Sequence, residues 1–82
     1  MDVKEQIAEK KDALYQALEA FLASPEGLFE YVELSLCIDS LPAGSLTREE
    51  YEDIWDKLEH CESPNSNSML FKLLTWDVDA HQ

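Results

Sequence analysis

The sequence predicts an all-α fold, a small bundle of three to four helices. Three observations point there: apolar residues recur at steps of three and four, Pro- and Gly-containing breaks separate the periodic segments, and one helix start carries a complete capping signature. With 82 residues the chain is expected to form a single domain over 1–82 with a thin core.

The first element spans residues 2–23. Val3, Ile7, Leu14, Leu18 and Phe21 fall at helical spacing with Leu22 beside them, and Asp2 is a candidate N-cap. Lys11 interrupts the stripe; its stem is expected to lie on apolar surface with the ammonium in water. Ser24-Pro25-Glu26 then reads as a second helix start, running from 25 to about 40. Winding groups Leu28, Val32, Ser35 and Leu36 on one side, flanked by Phe29 and Tyr31, with Glu26, Glu30 and Glu33 on another. The alternative is α+β, with a strand at about 28–38 and another at 69–78. The first of these needs Glu30 on an apolar face and has few β-branched residues.

Leu41-Pro42-Ala43-Gly44 is a break. Thr47 and Glu50 then form a capping box, and Leu46 and Tyr51 sit at hydrophobic-staple positions. The third helix covers 48–61 with an apolar stripe of Tyr51, Ile54, Trp55, Leu58 and Cys61; Trp55 is expected in the core. Residues 62–68 read as a polar loop and Met69–Trp76 as a short apolar element. Asp77–Gln82 is expected to fray.

Charge narrows the function. Eighteen acids against six Lys and Arg give a net of −12, a surface that repels phosphate and attracts basic protein. Direct binding of nucleic acid or of an anionic membrane is therefore not expected. Residues 24–82 hold thirteen of the acids and three of the cations. The richest acidic feature is on the third helix, where Glu49, Glu52, Asp53, Asp56 and Glu59 recur at three- and four-residue steps opposite the apolar stripe. Such steps rise about 4.5–6 Å, close to the spacing of every second phosphate along a DNA strand. These five residues, with Glu30 and Glu33 as a second patch, are the candidate partner-binding residues.

Catalytic and metal-binding patterns are not found in the sequence. His60 directly precedes Cys61, so the two diverge by about 100° on a helix. Four-ligand zinc spacing, an EF-hand loop and a Gly-rich phosphate loop are all missing. No cofactor is expected. Two cysteines behind a charged N-terminus without an apolar leader read as free thiols of a cytoplasmic protein.

In size and acidity the chain resembles the small helical immunity proteins that neutralise colicin nucleases. Glu49 to Phe71 carries the likeness: an acidic helix, Glu59-His60, a Ser/Pro-rich turn, then an apolar element. The paired tyrosines of that family are absent, with Phe71 and Leu73 in their neighbourhood, and two helices precede the segment instead of one. Phage-encoded inhibitors of host defence, anti-CRISPR proteins among them, share the gross profile. The expected function is an acidic inhibitor that neutralises a basic, nucleic-acid-binding protein or complex, with mimicry of nucleic acid as one route. The alternative is a structural or adaptor module that forms homodimers or hetero-oligomers through its amphipathic first helix.

Overall fold

The computed structural model describes residues 3–80, with side chains through Asp77. Among them are four helices and no strand: α1 (Val3–Ala23), α2 (Leu28–Ser40), α3 (Arg48–Cys61) and α4 (Pro64–Ala80). The fold is thus all-α, and both segments weighed as strands are helical. The proposed Asp2 cap lies outside the described residues.

Two boundaries differ from the sequence reading, each for a local reason. Ser24-Pro25-Glu26 does not open α2. The Ser24 N–H still bonds back to Ala20 and Phe21, and Gly27 N–H closes a turn on the Ser24 carbonyl. Helix α2 then begins at Leu28 with Gly27 as a cap lacking a side-chain bond. A Cβ at Gly27 would require the Glu30 carboxylate, which folds back over this turn, to move aside.

The polar run 62–68, read as a loop, is mostly helix. Ser63 and Ser66 make a reciprocal pair at the start of α4: Ser66 N–H donates to Ser63 Oγ and Ser63 N–H to Ser66 Oγ, each at 3.0 Å. Pro64 takes the first helical position, which needs no N–H. The motif has the logic of a capping box with serine where glutamate is usual, and Ser66 is fully buried. Met69–Trp76 is therefore the middle of a 17-residue helix, and α4 continues through the first residues expected to fray. Asn65 Nδ2 donates to the Pro25 carbonyl at 2.8 Å, tying this start to the α1–α2 turn.

The α3 start matches its sequence signature, with Thr47 accepting from the Glu50 N–H and Glu50 from the Thr47 N–H. Glu62, in the left-handed region at φ 52°, ends α3 and allows a two-residue connection to α4.

The helices form a ring. α1 packs on α2 and α3, and α4 packs on the same two; α2 and α3 lie diagonally, their backbones nowhere within 8 Å Cα to Cα. The bundle measures 36 × 25 × 19 Å, and 19 Å is less than two helix diameters of about 10–12 Å. Each helix therefore keeps one side on the core and one in solvent. Leu14, Leu18 and Phe21 of α1 meet Leu34 and Ile38 of α2, Ile54 and Leu58 of α3, and Met69 and Leu73 of α4, all fully buried. Each such leucine contributes about 1.5–3 kcal/mol by leaving water.

The apolar side expected for α2 is the wrong one for the core. Leu28, Val32 and Leu36 face outward with Phe29, while Leu34 and Ile38 face in. The helix has apolar residues on two sides, so spacing alone does not choose its inner face. Trp55 is half-buried at the core margin, stacked on Tyr51 with ring centroids 6.2 Å apart and planes at 23°. Trp76, also half-buried, donates to the Leu41 carbonyl at 3.2 Å and closes one end of the bundle.

Candidate protein-binding surface

Helical winding gathers the five α3 acids. At 100° per residue, Glu49, Glu52, Asp53, Asp56 and Glu59 share an arc of about 120° centred opposite Ile54 and Leu58. All five are exposed, whereas Ile54 and Leu58 are fully buried. The sixth acid of this helix, Glu50, leaves the ridge. Its carboxylate joins the Thr47 cap and accepts from Lys11 Nζ of α1 at 2.9 Å. The Lys11 hydrogen bond, followed by the Thr47 N–H, holds the Glu50 pKa below its ordinary value. Lys11 thus crosses to α3 instead of ending in open water.

The ridge carries local partners. Arg48 Nε pairs with Glu52 at 3.2 Å, Lys57 Nζ with Asp53 at 3.0 Å, and His60 Nδ1 lies 3.3 Å from Asp56, all at i,i+4. Trp55 Nε1 donates to Glu59 at 2.9 Å. Asp53 raises the Lys57 pKa by its hydrogen bond, and Lys57 also lies 5.8 Å from the Tyr15 ring centroid. The backbone carbonyl of Asp56, then its carboxylate, raises the pKa of His60.

These pairs do not cancel the ridge. Helix α3 holds six carboxylates against Arg48 and Lys57. Glu52 and Asp56 remain 65% and 70% exposed, and exposed pairs of this kind contribute about 0–1 kcal/mol. A partner's cations can replace them at little cost.

Beside the ridge, Tyr51, Trp55 and Leu74 line a groove of about 420 Å³ between α3 and α4, bordered by Glu52, Asp56 and Asp77. Burial, followed by Asp77, raises the Tyr51 pKa. A second groove, of about 820 Å³, runs between α2 and α4 with Tyr31, Ser35, Phe71 and Trp76 along it.

Glu30 and Glu33 do not extend the ridge. They lie on α2, diagonal to α3, where Glu30 is half-buried over the Gly27 turn and Glu33 is exposed near Cys37. Burial, then Glu33, raises the Cys37 thiol pKa. Cys37 and Cys61 are free thiols, both half-buried.

The sequence reading missed an outward apolar face. Leu28, Phe29 and Leu36 are 77%, 73% and 58% exposed, and Phe71 on α4 is 72% exposed. The near-continuous apolar composition of 28–38 was the available signal. Helix α1, by contrast, spends its stripe inside the bundle, with only its first turns open. No helix among the described residues is long and apolar enough to cross a membrane.

No family model, curated protein or solved structure matches this chain.

Proposed function

We propose that this protein is a stoichiometric inhibitor whose α3 ridge docks on the basic, nucleic-acid-binding surface of another protein. The observation that carries the reading is the exposed ridge of Glu49, Glu52, Asp53, Asp56 and Glu59 directly opposite a fully buried Ile54–Leu58 seam. A rigid helix holds these carboxylates in a row before any partner arrives. Docking then needs little ordering of the ridge backbone. Long-range attraction speeds encounter and makes it salt-sensitive. The spacing of the row suits a groove built for phosphates, so occupation of that groove would exclude nucleic acid by competition.

The test is affinity capture from the cells that make the protein, at low salt and then at about 1 M, where screening acts within roughly 3 Å. Wild-type protein is expected to retain a basic nucleic-acid-binding protein at low salt, release it at high salt, and block its nucleic-acid binding when both are purified. The triple variant Glu52→Lys, Asp53→Lys, Asp56→Lys is expected to retain none. A partner held equally by that folded variant, or insensitive to salt, contradicts the proposal.

A further inference from the structure

We infer that the outward face of α2 is a second docking surface, built for a protein segment whose apolar ridge is bordered by lysine or arginine. Leu28, Phe29, Val32 and Leu36 occupy an arc of about 100° on α2, centred about 150° from the buried Leu34 and Ile38, with Asp39 in the same arc toward the C-terminal end. Leu28 and Val32 lie one helical position around from Tyr31 and Ser35, which line the groove to α4. The α2 crest therefore borders that groove, whose walls mix apolar Phe71 and Trp76 with polar Asn67, Asp39 and Lys72. Contiguous apolar surface rimmed by polar groups marks interaction sites on small domains.

Charge identifies the occupant. Residues 24–40 contain Glu26, Glu30, Glu33 and Asp39 and no lysine or arginine. Asp39 pairs with Lys72 Nζ of α4 at 2.7 Å. A second copy of the chain would set these carboxylates against their own kind. An anionic membrane would meet the same repulsion. An amphipathic basic helix answers both features at once, with apolar side chains on the crest and cations reaching Glu33 and Glu26 at its border. The inference goes beyond the α3 reading, because α2 and α3 are diagonal and their outward faces point to opposite sides of the bundle.

The probe is a synthetic helical peptide of about five turns with leucines on one face and lysines along its borders. A scrambled peptide of equal composition and a peptide with glutamate in place of lysine serve as comparisons. At physiological salt, where charge is screened over about 8 Å, the patterned lysine peptide is expected to shift NMR signals of Leu28–Leu36. The double variant Phe29→Ser, Leu36→Ser, at exposed positions, is expected to keep its thermal stability and to bind about tenfold more weakly or worse. Glu52→Lys with Asp56→Lys is expected to leave this binding nearly unchanged while it abolishes the α3 interaction, so the two proposals fail separately. Equal binding of the scrambled or glutamate peptide overturns the inference. So do shifts confined to α3, undiminished binding by the folded α2 variant, absence of binding, or a homodimer that the same α2 substitutions dissolve.

Discussion

Helices α2 and α3 occupy equivalent diagonal places in the same bundle, and their outward faces are opposites. Each contributes two fully buried aliphatic residues to the core at i,i+4, Leu34 and Ile38 from one, Ile54 and Leu58 from the other. Turned to solvent, α3 shows Glu49, Glu52, Asp53, Asp56 and Glu59, while α2 shows Leu28, Phe29, Val32 and Leu36. The inner pairs, with Tyr31, Cys37, Tyr51 and Trp55 packed beside them, serve the core. The outward faces are less constrained by packing and differ.

The largest expected effects lie on the inner faces. Leu34→Ala should cost about 2–5 kcal/mol in denaturant unfolding. Leu36→Ala, two residues along the same helix, should stay within about 0.5 kcal/mol. Similar losses at both positions would dissolve the distinction between the faces of α2. Thr47→Ala should cost about 1 kcal/mol through loss of the α3 cap, seen as a lower melting temperature. A melting temperature equal to wild type would mean that the capping box does not hold the ridge helix in place.

Smaller effects sharpen the electrostatics. The folded pKa of Glu50 is depressed, first by Lys11 and then by Thr47. Its contribution is fully present above the ordinary carboxylate value of 4.5 and disappears as pH falls through the lower folded value. Glu50→Gln should therefore flatten the acid limb of a stability–pH curve, and an unchanged limb would contradict the Lys11 bridge. His60 shows the reverse sign. Its folded pKa is raised, so its stabilising contribution is present below 6.5 and is lost as pH rises through the higher folded value. In an NMR titration, Asp56→Asn should lower the His60 midpoint; no movement would mean that the carboxylate does not reach the ring.

How legible these features were depended on how unevenly each helix distributes its residue types. In α3 the apolar and acidic positions separate cleanly, so the sequence placed both the Ile54–Leu58 seam and the ridge, and Thr47 with Glu50 marked the start. In α2 both faces are apolar. The stripe Leu28–Val32–Leu36 is as regular as Leu34–Ile38–Leu41, and only packing against α1 and α4 decides between them. The start of α4 was hidden because its polar residues resemble a loop. Ser63 and Ser66 cap the helix through reciprocal backbone-to-hydroxyl bonds, with Ser66 buried, and serine is common in loops as well. The ion pairs of the ridge follow i,i+4 spacing and were readable in principle. The Lys11–Glu50 bridge, 39 residues apart, was not.

The two proposed surfaces presuppose that α2 turns Leu28, Val32 and Leu36 to water and that α3 keeps Ile54 and Leu58 in the core. Methyl relaxation of the unaltered protein in the presence of a soluble paramagnetic agent measures this directly. Strong enhancement at Leu28, Val32 and Leu36, with Leu34, Ile38, Ile54 and Leu58 shielded, is the expected pattern. Shielded Leu28 and Leu36 methyls, or a strongly relaxed Leu34, would contradict it.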